Sequence, residues 1–305
     1  MTSWIAALWC ALALAAPAAV HSKFSNDAAG ENRRLSWTFE DERGEKRSVV
    51  FTVSAAAVEH DNQLPKVFPA ENAAKAQARA VRDYADGIKG VTIQAKASKS
   101  GTLSISASGR SDRVRPALEG AQAAAEAELD RWLDKHRFAR LRGDAITHDH
   151  ARIAAEYADD VSALAAELGR DGPDARVFVS RALAFVQGIP YEKRKSGADV
   201  GFRRPLSVLA RNKGDCDSKT TLFLALVRAA HPELASTVVY VPNHALAGVG
   251  TTAEAGERTF ARDGVTYVAM EPVGPAKSPL GEVSGKAGWH LFWGSAQHRA
   301  VPPAQ

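Results

Sequence analysis

Three side chains that together can form a nucleophilic thiol site occur in order along the C-terminal half of the chain. Cys216 follows a short polar turn and begins an apolar stretch with helical spacing. His244 and Glu271 each follow an apolar run typical of a strand, at 236–241 and at 264–270. If these strands pair antiparallel and pack on the cysteine helix, the three side chains meet at one end of the sheet.

Such a group of side chains has a defined chemistry. An imidazole within hydrogen-bond reach can take the proton of a thiol, and a carboxylate on the other ring nitrogen fixes the tautomer. The helix start adds unpaired backbone N–H groups and the positive end of the helix dipole. We therefore expect a thiolate to be favoured over a thiol at Cys216, and its N–H can stabilise an oxyanion.

Each of these residues also has a purely structural interpretation. Cys216 could be a small buried helix residue, His244 could cap a strand, and Glu271 could belong to a turn. The cysteine stands between Asp215 and Asp217, however, and a helix start flanked by two acids is a poor place to bury a side chain. We predict that Asp215 is the N-cap of this helix and that Asp217 belongs to its first turn.

Residues 1–22 are predicted to be a signal peptide, because an uncharged run rich in Ala and Leu is followed by small residues. Cleavage would fit after Ala18 or after Ser22. An uncleaved anchor stays open, since the run has no Lys or Arg before it. Removal of this segment takes away Cys10, one of two cysteines. Cys216 would then be the single thiol of a periplasmic or secreted protein, unable to form an internal disulfide.

Length and charge limit the remaining classes. The chain has 305 residues, 24% of them charged, with a net charge of +4, which is ordinary for a soluble protein of two modest domains. Lys and Arg are scattered among Asp and Glu without an aromatic-interleaved basic stripe, so we predict no nucleic-acid partner. The run 148–150, His-Asp-His, could bind a metal but is more typical of a turn that caps the next helix, so we predict no metal.

Residues 23–140 are predicted to form a separate small α+β domain. No residue in it indicates catalysis, and we expect it to pack or to bind a partner protein. Further on, helical spacing continues over 151–168 and from 173 to 187, and a polar loop is predicted over 191–212. Trp289 and Trp293 are expected to pack back on the domain. The predicted elements of the N-terminal unit are strands at 35–39 and 48–53, a helix at 70–87, a hairpin at 91–106 and a helix at 114–136.

Five short motifs in the C-terminal half resemble those of a known family. They are FVQGIPY at 185–191, RPLSVL at 204–209, GDCDSK at 214–219, NHA at 243–245 and YVAMEP at 267–272. Over 173–283 the chain resembles the transglutaminase-like domain of the papain-like thiol enzyme superfamily, of the exported bacterial type. The resemblance implies an α+β fold in which the helix that carries the cysteine packs on an antiparallel sheet, and it assigns 141–305 to this domain.

The resemblance also implies roles. Cys216 would be the nucleophile, His244 the base and acid, and Glu271 the orienting carboxylate, where the family usually has Asp. Gln187 would be a candidate oxyanion donor, although a helix-surface glutamine is the structural alternative. The family chemistry implies no cofactor.

Within this family, the sequence favours hydrolysis over crosslinking. Crosslinking members of the family use a tryptophan beside the thiol, and this chain has none between Trp132 and Trp289. We therefore predict an exported thiol hydrolase, a cysteine peptidase or amidase that cleaves a protein or peptide substrate through an acyl-enzyme. Two alternatives stay open: a non-catalytic binding or scaffold module with the same fold, and acyl transfer to an amine.

Overall fold

The computed structural model describes residue 21 and residues 23–172, 174–192, 201–274 and 277–303. The predicted signal segment, apart from His21, and the basic run 193–195 lie outside the described residues. In the described part of the chain, no helix has both the length and the apolar character to cross a bilayer.

The fold begins with a three-stranded antiparallel sheet, ordered β1-β2-β3. Its strands are β1 Lys23–Ala29, β2 Asn32–Glu40 and β3 Lys46–Ser54. The two predicted strands lie within β2 and β3, whereas β1 was not predicted. Side chains alternate along β2, so that Leu35, Trp37 and Phe39 are buried and their neighbours are more exposed.

A helical subdomain follows this sheet. Its elements are α2 Ala70–Asp86, β4 Val91–Ala97, β5 Leu103–Gly109 and α3 Ser111–His136. They are preceded by α1 Ala55–Gln63, whose Val58 belongs to the larger core of the chain. The predicted helices and the predicted hairpin are present, and β4 pairs with β5 in a two-stranded sheet. The small core of the subdomain contains Val81, Ala121 and Ala125, with Ile93 and Ile105 packed against it.

The packing departs from the predicted domain boundary at residue 140. Apolar side chains of β2 and β3 belong to the same hydrophobic core as those of the C-terminal half. Trp37 and Phe39, for example, lie edge-on against Phe185, with ring centroids 5.4 and 5.3 Å apart. Within the described part of 23–140, it is the segment from α2 to α3 that has a core cluster of its own. The first sheet is therefore one wall of the larger core, not part of a separate domain.

His21 also lies in this shared core. Its ring nitrogens are 2.9 Å from the side-chain oxygen of Asn212 and 2.8 Å from the carbonyl oxygen of Phe185. Burial lowers the pKa of His21 to about 4. Cleavage of the predicted signal peptide after Ser22 would remove these contacts, and cleavage after Ala18 would keep them.

A short hairpin and four helices connect to the cysteine helix. They are β6 Phe138–Arg140, β7 Ile146–His148, α4 His150–Glu156, α5 Ser162–Leu168, α6 Ala175–Gly188 and α7 Pro205–Arg211. The helix predicted over 151–168 is in fact two helices. The loop predicted over 191–212 contains α7, whose start is marked by Pro205 at the first helical position, where the missing N–H costs nothing.

The C-terminal half packs a central helix on a five-stranded antiparallel sheet, ordered β10-β11-β9-β8-β12. Its elements are α8 Cys216–Ala230, β8 Ser236–Val241, β9 His244–Val249, β10 Thr259–Arg262, β11 Val265–Met270, α9 Gly285–Phe292 and β12 Gln297–Ala300. The chain is thus α+β, as predicted. Residues 222–227 of α8 are fully buried against the sheet.

The sheet is covered on both faces. Val238 and Ala247 face the α8 side, whereas Val239 and Leu246 belong to a second cluster with Ala287 of α9. Burial of both faces explains why the sequences of β8 and β9 are continuous apolar runs rather than alternating ones. The prediction that the tryptophans of the tail pack is wrong, because Trp289 and Trp293 are 56% and 64% exposed.

Candidate functional site

The β8–β9 turn determines the position of His244. The turn consists of Pro242 and Asn243, and Asn243 adopts a left-handed conformation with φ of 62°. Proline presets the first position of such a tight turn, and asparagine tolerates positive φ at the second. Val241 pairs with His244, so the imidazole stands on the first residue of β9, at the end of the sheet.

Glu271 lies at the same end of the sheet. It follows β11 directly, and β11 runs antiparallel to β9 with Met270 opposite Ala247. The His244 Nε2 lies 2.9 Å from both carboxylate oxygens of Glu271. The side chains of His244 and Glu271 are 23% and 12% exposed. The predicted meeting of these two strand-edge residues is therefore confirmed.

Cys216 is the first residue of α8 and is only 4% exposed. Asp215 caps the helix, as predicted, because its Oδ1 accepts hydrogen bonds from the N–H and the hydroxyl of Ser218 at 3.0 and 2.6 Å. As the first helical residue, Cys216 has a backbone N–H without an acceptor inside the helix. The N–H is thus placed where it could donate to an oxyanion.

The first turn of α8 is joined to the start of β9. The Thr220 hydroxyl donates to the carbonyl oxygen of Ala245 at 3.2 Å. The N–H of Ala245 faces the Cys216 sulfur and stabilises its ionised form. Ala245 directly follows His244, so the thiol lies beside the strand position that carries the imidazole. Because Nε2 is bound to Glu271, Nδ1 is the other nitrogen of the His244 ring.

The thiolate expected at a helix start is opposed by the surroundings of Cys216. Burial raises the pKa of Cys216 to about 12, and the negative charges of Asp217 and then Asp215 act in the same direction. The sulfur donates a hydrogen bond to Asp217 Oδ1 at 3.5 Å. Burial and these two carboxylates therefore favour the neutral thiol, and the sulfur lies against a carboxylate oxygen.

Gln187, the predicted oxyanion donor, has another set of contacts. Its side-chain amide donates to the carbonyl oxygens of Glu271 and Ser278 at 2.9 and 2.8 Å, and the residue is 2% exposed. An amide nitrogen has two hydrogens, so both are engaged. Binding an oxyanion would require one of these bonds to be given up. In this structure Gln187 holds the segment that follows β11, and thereby Glu271.

Lys219 is a site residue that the sequence reasoning missed. It is fully buried, and its ammonium donates to the carbonyl oxygens of Gln187, Ile189 and Val273 at 3.3, 2.7 and 3.0 Å. Burial lowers the pKa of Lys219 to about 7, while the charge of Glu271 acts to raise it. A lysine within the apolar stretch of α8, one turn after the cysteine, was the signal that could have revealed it.

An open cleft of about 580 Å³ adjoins the histidine and the glutamate. Its walls are mostly apolar, and Lys286 and Ser284 lie on the α9 side. The residues that line it are Val241, Pro242, Asn243, His244, Glu271, Val273, Gly274, Ser278, Ser284, Lys286 and Ala287. The cleft is large enough for several atoms of a peptide or amide substrate to reach His244.

The run 148–150 lies apart from this cleft and is structural. Asp149 caps α4 by accepting from the Arg152 N–H at 3.2 Å, as predicted, and pairs with Arg299 at 2.8 and 2.6 Å. His148 donates to the Pro65 carbonyl at 3.0 Å. Among the described residues, no group of three or more His, Cys, Asp or Glu side chains is arranged to hold a metal.

Local sequence accounts for most of this geometry. The N-cap at Asp215 starts α8, the Pro-Asn turn starts β9, and the end of β11 places Glu271 beside His244.

Comparisons of the chain with protein families, with curated proteins and with solved structures found no match.

Proposed function

We propose that this protein is a thiol hydrolase of the transglutaminase-like class, with a papain-like core, that cleaves amide or peptide bonds. Cys216 is the nucleophile, His244 the general base and acid, and Glu271 the carboxylate that orients His244. The observation that carries the proposal is the bond from His244 Nε2 to both oxygens of Glu271, beside a cysteine at a helix start. The predicted signal peptide would direct the enzyme to the periplasm or out of the cell.

Acylation begins from a neutral thiol. His244 takes the Cys216 proton as the sulfur forms a bond to the substrate carbonyl carbon. The negative charge that develops on the carbonyl oxygen faces the Cys216 N–H at the start of α8. The C–N bond then breaks, His244 returns the proton to the leaving amine, and a thioester remains on Cys216.

Deacylation repeats these steps with water. His244 removes a proton from water, whose oxygen forms a bond to the thioester carbon, and the C–S bond breaks. The carboxylic acid leaves and the thiol regains its proton. Glu271 stays ionised throughout, fixes the tautomer of His244 and stabilises the imidazolium that forms twice in each cycle. None of these steps needs a cofactor.

The raised pKa of Cys216 favours a concerted form of this mechanism. A thiol with a pKa of about 12 does not exist as a stable thiolate at neutral pH. Proton transfer to His244 must then accompany the attack. Substrate binding that displaces the thiol proton from Asp217 would start this transfer.

A non-catalytic binding or scaffold module is the second candidate. The burial and raised pKa of Cys216 favour it, because a structural thiol has these properties. The two candidates differ in what Cys216→Ser does. This substitution abolishes function in an enzyme and leaves a scaffold intact.

The test uses a panel of amide and peptide substrates with the purified protein, with Cys216→Ser and with His244→Ala. We expect product only from the unchanged protein, and a thioester adduct on Cys216 in its acid-quenched mass spectrum. An added primary amine separates hydrolysis from acyl transfer, since transfer yields an amide of that amine and hydrolysis an acid. Product from Cys216→Ser at the unchanged rate would overturn the proposal. A cellular phenotype fully complemented by Cys216→Ser would favour the scaffold.

A further inference from the structure

A basic groove lies on the helical subdomain, in a part of the chain that the proposed catalysis does not use. It is an open cavity of about 570 Å³ between α2 and β4. The residues that line it are Lys75, Ala78, Arg79, Arg82, Ala95, Lys96 and Ala97. Cationic side chains thus surround a floor of alanines.

Helix α2 forms one wall of the basic groove. Its lining residues stand at i, i+3, i+4 and i+7 from Lys75, so they share one face of the helix. Glu71 pairs with Lys75 at 2.7 Å. In the described part of the chain, Arg79, Arg82 and Lys96 have no carboxylate within salt-bridge distance. The groove therefore carries a net positive charge that its own residues leave uncompensated.

Strand β4 forms the other wall through its edge. Successive side chains of a strand point to opposite faces, so three consecutive residues, 95–97, can line one groove only along the strand edge. β4 pairs with β5 alone among the described strands. Its other edge therefore offers unpaired backbone N–H and C=O groups.

We propose that the basic groove binds an extended acidic peptide segment, which adds as a strand to the edge of β4. Backbone hydrogen bonds to β4 would hold the segment, and acidic side chains on one of its faces would pair with the cations of α2. From Lys75 to Arg82 the helix rises about 10 Å. This matches about three residues of an added strand.

The same charges select against other partners. A cation such as Lys96 on an open edge repels basic strands, including the edge of a second copy of β4, and it would be desolvated without a partner against a neutral strand. Among the described residues that line the groove, none is aromatic, so nucleic-acid bases have no surface on which to stack. An extended acidic peptide can form backbone hydrogen bonds to the edge of β4 and ion pairs with the cations of the groove.

The test measures binding of a fluorescein-labelled octapeptide of alternating Glu and Thr to the full chain by anisotropy at low salt. We expect saturable binding that Arg82→Glu, on α2, or Lys96→Glu, on β4, weakens about tenfold. Arg115→Glu is the matched control, because it makes the same change in net charge on an exposed residue of α3. We expect this control to change the affinity less than about twofold.

A second peptide tests strand addition separately from charge. It has the same sequence with N-methyl groups on alternate residues, which removes backbone donors and keeps every carboxylate. We expect the methylated peptide to lose binding, and the unmethylated one to protect amides of β4 from hydrogen exchange. Equal binding of both peptides, equal binding by all the variants, or binding only to single-stranded DNA or phosphatidylglycerol vesicles would overturn the proposal.

Discussion

At the scale of single residues, Cys216 is subject to opposing influences. The helix start and the N–H of Ala245 favour a thiolate, whereas burial and the charges of Asp217 and Asp215 favour the thiol. The second set has the larger effect, and it raises the pKa of Cys216 to about 12. In the proposed mechanism, reactivity then depends on His244, because only a base within reach can remove the thiol proton at neutral pH.

Asp217→Asn should lower the pKa of Cys216. The substitution keeps the size of the side chain and removes the charge closest to the sulfur, for which we expect a fall of about one pH unit. In a Cys10→Ser background Cys216 is the only cysteine. Its ionisation can then be followed by the ultraviolet absorbance of the thiolate. Asp112→Asn, on the exposed start of α3, is the control, and equal titration curves for the two variants would contradict the assignment.

At the scale of secondary structure, one lysine connects the elements around the site through hydrogen bonds to three backbone carbonyl oxygens. The Lys219 ammonium on α8 binds the end of α6 through Gln187 and Ile189, and the segment after β11 through Val273. Gln187 in turn binds the carbonyl of Glu271. The carboxylate that orients His244 is thus held by its backbone from α6 and indirectly from α8.

Lys219→Met should therefore reduce both stability and turnover. The substitution keeps the length of the side chain but leaves three buried carbonyls without this donor, which we expect to cost about 1–3 kcal/mol in unfolding free energy. A displaced Glu271 should lower kcat more than it raises KM. Lys213→Met, the same change at an exposed position, is the control in urea unfolding and in kinetics. Wild-type stability in Lys219→Met would show that the three hydrogen bonds of Lys219 do not contribute to the free energy of unfolding.

Buried histidines should make the fold sensitive to acid. Burial lowers the pKa of both His148 and His150 to about 3, below the ordinary 6.5. Between these values the unfolded chain binds protons that the folded chain does not, so stability falls as the pH falls below 6.5. From pH 7 to pH 5 each histidine should cost up to about 2 kcal/mol.

Urea unfolding at several pH values measures this loss. Below pH 6.5, His150→Gln should reduce the slope of unfolding free energy against pH by the equivalent of about one bound proton. This holds whatever the substitution does to stability at pH 7. His60→Gln, the same change at an exposed histidine of α1, is the matched control. An unchanged slope in His150→Gln would mean that His150 is protonated in the folded chain.

The sequence predicted those features that depend on nearby residues. The N-cap at Asp215, the strands that end before His244 and Glu271, and the helices α2 and α3 follow from local spacing and turn chemistry. The effect of Asp217 on the thiol and the contacts of Lys219 could not be predicted. They depend on which distant backbone groups the fold brings together and on how deeply it buries them.

At the scale of the whole molecule, one core joins the first sheet to the C-terminal half. The indole N–H of Trp37 on β2 donates to the side-chain oxygen of Asn212, just before the cysteine turn, at 3.2 Å. Arg181 on α6 pairs with Glu42 after β2 at 3.2 Å. The sequence suggested two independent domains because no local pattern reveals that β2 packs on α6.

Two deletions should separate the parts of this fold. Removing residues 21–63 exposes the core around Phe185, so we expect the remainder to be unfolded by circular dichroism. Replacing residues 70–136 by a short linker should leave a cooperatively folding protein, because the segment has a core of its own. Its ends are close, as the rings of Phe68 and Phe138 lie 5.4 Å apart. A folded first variant or an unfolded second one would contradict this division.

The most direct test of the proposed function is the rate at which iodoacetamide alkylates Cys216 at neutral pH in a Cys10→Ser background. If His244 removes the thiol proton and Glu271 orients it, both His244→Ala and Glu271→Gln should slow alkylation of the folded protein by about tenfold or more. The urea-unfolded proteins should all react at one rate. Equal rates for the folded protein and both variants would contradict a catalytic role for these three residues.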